Sequence, residues 1–373
     1  MERINQIEPV LGDEEKDQLL SVMDSGWYTE AAKTREFEKL FADFVGTKYA
    51  ISVTSGMAAL YVGLKAMGIG SKHEVIVPDL TFVASPNSVE MTGAKPILVD
   101  IEPDSLNLDL SKLKKLLTKK TKAIMPVDFN GRSTNINELK EFADKHDLLL
   151  LEDACHAIGS YHDNGNHMGT ISDIGIFSFS IPKIITTGQG GMIITNNKKT
   201  YESCLALKDF GRDINAKKDM MKAFQHDTIG YNFKFTEFQA AIGIAQIKKL
   251  KERISQKRKM FKLYQELLQS IDKINFISTD LNRITPWMID IMLKTRKQRQ
   301  NLIEYLKQKN IETRIYYPAI HNLKPYKQIN KKFPISSDIS STGLWLPSSV
   351  SLTDDQIQII CSEITKSFQN SKT

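Results

Sequence analysis

The run Phe177-Ser178-Phe179-Ser180-Ile181-Pro182-Lys183-Ile184-Ile185-Thr186-Thr187-Gly188-Gln189-Gly190-Gly191-Met192-Ile193-Ile194-Thr195 carries a single charged side chain, Lys183. Apolar, strand-like blocks flank it, and a Thr-Gly-Gln-Gly-Gly turn separates the lysine from the second block. An ammonium prefers water, so Lys183 is either lifted out by the turn or held where its amine works. A desolvated lysine has a lowered pKa, and its neutral amine can form a Schiff base with a carbonyl. Alone, the segment reads most simply as a solvated turn lysine. Its neighbours change that reading.

Working back toward the N-terminus, short apolar runs alternate with helical patterns from about residue 47 to 195. Tyr49–Val53, Glu74–Val77, Lys95–Val99, Ala123–Val127 and Leu148–Leu151 read as strands. Leu110–Leu117 and Asn137–His146 read as helices between them. The four-leucine block predicts a strand buried on both faces, hence a mostly parallel sheet covered by helices. Ligands collect at the carboxyl ends of such strands. Two stretches there stand out. Thr54-Ser55-Gly56-Met57-Ala58 opens a helix with small residues, which suits either a phosphate at the positive end of the helix dipole or an ordinary N-cap. Asp153 directly follows a buried strand, so it needs a cationic partner, a salt bridge or a capping role.

In the other direction, residues 201 to 226 are charged and read as helix or loop. A long amphipathic helix is expected from about Thr236 to Leu267. Ile274–Ile277, Trp287–Leu293 and Thr313–Tyr317 then read as strands, alternating with helices at Gln298–Lys309 and Thr353–Phe368. The expected organisation is a large α/β domain over residues 1–245 and a smaller α+β domain over 246–373. Residues 1–30, with a helix at Glu14–Met23, are expected to pack on the smaller one.

The chain has 373 residues, 41% apolar and 25% charged, with a net charge of +6. It has no 18-residue apolar run and no signal-like N-terminal stretch, so no membrane partner is expected. Cys155, Cys204 and Cys361 have no metal spacing and form no disulfide framework, which fits a reducing cytoplasm. No metal site is expected. Lysine clusters at 114–122 and 248–262 read as solvated helix faces or as attraction for an anionic substrate. No zinc-finger spacing, aromatic RNA-binding motif or basic tail points to nucleic acid.

A phosphate-cradling helix start, an aromatic, a strand-end aspartate and a lone lysine together match the needs of pyridoxal phosphate. At these motifs the sequence resembles the DegT/DnrJ/EryC1/StrS sugar aminotransferases. The resemblance runs from Gly26-Trp27-Tyr28-Thr29 to Leu344-Trp345-Leu346-Pro347-Ser348-Ser349. Its most specific pieces are Thr54–Leu60, Pro78–Ser85, Glu152–Gly159, Asp173–Gly191 and Gly230–Gly243.

The resemblance implies the type I fold of pyridoxal-phosphate enzymes, aspartate aminotransferase-like, in a homodimer with shared sites. It makes Lys183 the Schiff-base lysine and proton carrier, and Asp153 the partner of the pyridine nitrogen. Phe82 would stack on the ring, and Ser178 with the Gly56 and Met57 N–H groups would hold the phosphate. Asn232 would reach that phosphate from the neighbouring subunit, and His156 would lie near the ring or its 3-hydroxyl. Arg212, Tyr317, His321 and Lys324 are candidates for the sugar or its diphosphate. Four features depart from the common pattern: Met57 for threonine, His156 for glutamine, Lys234 for arginine, and Asp128-Phe129-Asn130-Gly131 for a stretch that often carries histidine.

Lysine at 183, where related dehydratases have histidine, favours transamination. The implied reaction moves an amino group from L-glutamate, leaving 2-oxoglutarate, to a nucleotide-linked 4-keto-6-deoxy sugar of the perosamine type. A 3-aminotransferase and a non-catalytic regulatory member are the alternatives. A dinucleotide-dependent oxidoreductase would need a glycine fingerprint that Thr54–Ala58 lacks.

Overall fold

The computed structural model describes residues 2–212, 225–327 and 332–370. Its larger sheet contains β1 (Tyr49–Val53), β2 (Glu74–Pro78), β3 (Lys95–Val99), β4 (Thr121–Ile124), β5 (Leu149–Asp153), β6 (Ile174–Ser178) and β7 (Gly191–Thr195). Their spatial order is β1-β7-β6-β5-β4-β2-β3. Strands β3, β2, β4, β5 and β6 pair in parallel, whereas β7 opposes both β6 and β1. The reversal has a simple cause. The turn that carries Lys183 joins β6 to β7 without a crossover helix, and strands so joined pair antiparallel. Because β7 opposes both neighbours, β1 through β6 all point one way, and their carboxyl ends share one edge with the start of β7.

Helices α1 (Asp13–Ser25), α2 (Ala32–Val45), α3 (Gly56–Ala66), α4 (Ala84–Met91), α5 (Leu110–Leu116), α6 (Ile136–Lys145) and α7 (Lys198–Lys208) precede or follow these strands. They cover both faces of the sheet, as alternation along β6 requires. Phe177 meets Phe41 of α2 edge-on at 5.0 Å, and Phe41 also meets Phe179. On the opposite face Ile174 and Ile176 pack with Leu60, Val62 and Leu64 of α3. Leu150 and Leu151 are fully buried in β5, as a strand covered on both faces demands. Of the charged stretch at 201–226, residues 213–224 lie outside the described residues.

The long helix expected from Thr236 to Leu267 is two helices, α8 (Glu237–Lys248) and α9 (Leu250–Leu268). At the junction the Lys249 N–H bonds back three residues, to Gln246 O at 3.2 Å. The Lys249 ammonium meanwhile pairs with Glu15 of α1 at 2.8 Å. Beyond the break, α9 lays Phe261, Tyr264 and Leu268 against a second sheet. That sheet comprises β8 (Ile274–Asn275), β9 (Ile289–Leu293), β10 (Arg314–Ile315) and β11 (Gly343–Leu346), all antiparallel in the order β10-β11-β9-β8. Helices α10 (Arg296–Gln308), α11 (Pro334–Thr342) and α12 (Asp354–Asn370) accompany it.

Side-chain clasps join the two sheets. Arg132 forms a two-pronged pair with Asp290 of β9, at 2.8 and 2.9 Å, and Tyr316 donates to the same carboxylate at 2.6 Å. The Asn130 amide mimics a strand partner: it donates to Met288 O at 2.9 Å and accepts from Met288 N at 2.7 Å. The N-terminus adds a third link, with Ile4 bridged to Ile311 and Gln6 O accepting from Ser348 N at 2.7 Å. No helix among the described residues is long and apolar enough to cross a membrane.

Candidate active site

A cavity of about 310 Å³ opens at the carboxyl edge of the larger sheet. Each wall comes from the end of a different strand. Ser55, Gly56 and Met57 follow β1, Thr81 and Phe82 follow β2, Val127 follows β4, Cys155 and His156 follow Asp153 at the end of β5, and Ser178 ends β6. Lys183 comes from the β6–β7 turn, while Trp287, Arg314 and Tyr317 come from around the second sheet.

Local hydrogen bonds shape the Lys183 turn. Thr186 Oγ1 donates to Phe179 O at 2.9 Å and accepts from Gly188 N at 3.0 Å, and Thr187 N returns to Phe179 O at 3.0 Å. Gly188 supplies the positive φ of +78° that closes the loop. Gly191 serves a different purpose. In register with both Val53 and Ser178, it lies so close to the next loop that a Cβ there would stand 2.3 Å from Ser55 O. The glycines after the lysine therefore press this strand against the start of α3, within one chain.

At that start Ser55 caps the helix, its hydroxyl accepting from Ala58 N at 3.1 Å. The N-cap and anion-site readings are thus compatible, because the first N–H groups of α3, those of Gly56 and Met57, lie beyond the reach of the helix's own carbonyls. Ser178 faces them closely: a Cβ on Gly56 would lie 2.9 Å from the Ser178 Cβ. A backbone cradle, a hydroxyl and a positive helix end suit a phosphate.

Asp153 is 5% exposed and has no cationic side chain bonded to it among the described residues. Its carboxylate instead accepts from Ser85 Oγ at 2.7 Å and Cys155 N at 3.2 Å. A buried, hydrogen-bonded carboxylate lining a cavity is set to receive a protonated nitrogen from a ligand.

Lys183 is half-buried as a residue, yet its amine is enclosed. Burial pulls its pKa from the ordinary lysine range to about 8, with the Asp153 charge a smaller, opposing influence. The amine stands 4.1 Å from the Trp287 ring centre. His156 stacks on the same indole: its ring lies 3.9 Å from Trp287, inclined by 24°. Burial, reinforced by the Lys183 cation, drives the His156 pKa well down, so it is a neutral imidazole. Its Nδ1 is buried without a hydrogen-bond partner, an orphan that a ligand hydroxyl would satisfy.

The structure therefore gathers Lys183, Asp153, His156, Gly56, Met57, Phe82, Ser178 and Tyr317 around one cavity. Phe82, half exposed, faces Tyr317 with ring centres 5.2 Å apart. The other anticipated residues lie elsewhere in the chain. Asn232 forms an isolated bridge with Asp209, outside its own chain's cavity. Arg212 faces Asp209 at 3.9 Å, and Lys234 reaches the same aspartate at 3.4 Å. His321 pairs through Nδ1 with buried Asp79 at 2.6 Å, while its N–H donates to the other carboxylate oxygen at 2.9 Å. Lys324 is exposed on the turn Lys324–Tyr326. Sequence reading did not single out Trp287, Arg314, Ser85 or Cys155 as site residues. Only Arg314 and Trp287 offered a signal, a cation and a large aromatic inside expected strands.

An enclosed lysine, a hydrogen-bonded strand-end aspartate and a helix-start cradle on this fold define a pyridoxal-phosphate enzyme of the type I fold. The sequence model of the DegT/DnrJ/EryC1/StrS aminotransferase family matches residues 9–365, and the chain belongs to that family. Relatives include the GDP-perosamine synthase of Escherichia coli O157:H7, 36% identical over 99% of this chain and 100% of that protein. The GDP-perosamine synthase of Vibrio cholerae is 35% identical over 97% and 98% of the two chains. Among solved structures, Helicobacter pylori PseC, an aminotransferase of pseudoaminic acid biosynthesis, superposes with a TM-score of 0.91 at 26% identity, covering 99% and 100% of the chains. Bacillus subtilis NtdA with bound PMP gives 0.86 at 26% identity, covering 95% and 82%.

Proposed function

We propose that this chain moves an amino group from L-glutamate to a nucleotide-linked 4-keto-6-deoxy sugar, forming a 4-amino product of the perosamine type. The near full-length relation to two GDP-perosamine synthases supports the sugar class. The observation that carries the chemistry is Lys183, with its pKa near 8, in one cavity with Asp153 and the start of α3.

The residues present fit pyridoxal phosphate. Gly56, Met57 and Ser178 would hold its phosphate, Asp153 its ring nitrogen, Phe82 a ring face, and His156 Nδ1 its 3-hydroxyl. When bound, the cofactor supplies an electron sink for the pair left behind when the substrate's C–H bond breaks. The protein does the rest. Lys183, neutral in a substantial fraction near pH 8, has a free electron pair with which to take a proton from the reacting carbon and return it one bond away. Asp153 stays fixed by Ser85 and the Cys155 N–H, so its negative charge faces the cavity. Trp287 and Tyr317 close the far wall and exclude water around the amine.

A homodimer in the cytoplasm belongs to the same reading. Trp27, Tyr28, Ile181 and Ile229 are exposed apolar residues, 59%, 49%, 48% and 80% accessible, that a second copy would cover. Asn232, outside its own cavity, would then serve the partner's phosphate cradle.

The test is turnover of L-glutamate with a GDP-linked 4-keto-6-deoxyhexose, followed by product mass and 2-oxoglutarate release. Wild type is expected to transfer the amine, with borohydride fixing the cofactor on Lys183. Lys183→Ala is expected to lose both. Full turnover by Lys183→Ala would sink the proposal.

A further inference from the structure

Among the described residues, three side chains with formal charge line the cavity: Asp153, Lys183 and Arg314. Two have defined tasks. Asp153 is held by Ser85 and Cys155 N, and Lys183 is the reacting amine. Arg314 is a permanent cation without an assigned role. Its backbone is fixed, since β10 pairs with β11 at Arg314↔Trp345 and the following Tyr316 is anchored on Asp290. Its guanidinium, by contrast, makes no hydrogen bond or ion pair among the described residues, and the residue, though exposed, lines the cavity. A rigidly mounted, unpaired guanidinium in a cavity whose one carboxylate is already engaged is built for an anion brought by a ligand.

Three anions could come. The cofactor phosphate has its own cradle at Gly56, Met57 and Ser178, on different elements. The diphosphate of a sugar nucleotide is separated from a reacting C4 by the sugar ring and the glycosidic oxygen, which carries it away from the carbon beside Lys183. The carboxylate of an α-amino acid is one bond from that carbon, so it must lie inside the same cavity. The planar fork of arginine matches a carboxylate with two parallel hydrogen bonds. We infer that Arg314 binds a carboxylate of the amino donor, and equally of the 2-oxo acid that leaves, an assignment that rests on the aminotransferase reading above.

Glutarate, a dicarboxylate with no amine to transfer, isolates this contact. Calorimetric titration of the cofactor-loaded enzyme with glutarate is expected to show binding that Arg314→Gln weakens ten- to a hundredfold, roughly the loss of a charged, bidentate contact. In steady state the same variant raises KM for L-glutamate by a similar factor and leaves KM for the keto-sugar unchanged. Arg314→Lys, which keeps the charge and loses the fork, is expected to fall between. Glutarate binding by Arg314→Gln equal to wild type, or a rise confined to the keto-sugar KM, would overturn the assignment. Wild-type turnover, measured alongside, tests the underlying reading separately. Turnover with an unaffected variant removes only Arg314 from the site, whereas arginine-dependent glutarate binding without turnover removes the proposed reaction and keeps the carboxylate site.

Discussion

The Lys183 ammonium stands 4.1 Å from the centre of the Trp287 ring, and the indole N–H of Trp287 donates to Pro182 O, next to that lysine, at 2.6 Å. The tryptophan thus touches both the head group of Lys183 and the backbone beside it. The two effects on the amine oppose each other: burial favours the neutral form, while the ring face favours the cation.

Trp287→Leu keeps the site dry but removes the ring. A cation–π contact worth about 0.5–2 kcal/mol should then be lost, lowering the amine pKa further from about 8 toward about 7. Cofactor uptake by the apo enzyme requires the neutral amine, so its rate rises with pH through this pKa. Stopped-flow uptake across pH 6–9 is expected to show the midpoint moving down in the variant. A midpoint that moves up would mean water has replaced the ring.

Lys257 gives a stability prediction. It is buried, bonds Ser348 O at 2.6 Å, and is pulled by burial to about 7. Its unfolded value is the ordinary one near 10.5, so between these pH values the unfolded chain binds more protons than the folded one. Stability from this group therefore rises with pH across that window, and the full cost of the buried cation applies below about pH 7. Lys257→Met should stabilise the protein by roughly 1–3 kcal/mol at pH 6, with the gain shrinking toward pH 10. Thermal midpoints at several pH values check this, and a gain that grows with pH would contradict it.

Asp290 tests the clasp between the sheets. Asp290→Asn leaves the Arg132 guanidinium buried without its counter-charge, a defect that costs about 3–5 kcal/mol. The double variant Arg132→Met with Asp290→Leu is expected to recover much of that loss. Chemical denaturation of the three proteins measures both effects, and equal losses in the single and double variants would show that the pair itself is not what matters.

Much of the architecture was legible because local rules governed it. The strands from Tyr49 to Asp153 lie within a residue or two of their periodicity, apart from β4, which ends three residues early. Three of the four leucines, Leu149–Leu151, lie in the central strand β5, and Leu150 and Leu151 are fully buried as their density required. Where sequence reading diverged, distant partners decided. Lys249 has no helix-breaking chemistry; its side chain is drawn to Glu15, and the helix breaks there. β11 is four residues long and buried throughout, too short for a periodic signal. The site divides the same way. Lys183, Asp153 and the Gly56 turn sit in dense local motifs. His321 shows the other side: its Nδ1 partner, Asp79, lies far away in sequence and leaves no local signal.

The cavity has a consequence for how this enzyme is made. Its first wall is synthesised at Ser55, but Tyr317 packs on Trp345 of β11, with ring centres 4.9 Å apart, and that strand ends near the C-terminus at Leu346. On the ribosome, then, the larger sheet can assemble while the pocket still lacks a side. Full enclosure of the Lys183 amine therefore belongs to the finished polypeptide, because Trp287, Arg314 and Tyr317, which complete the cavity, are made long after the lysine.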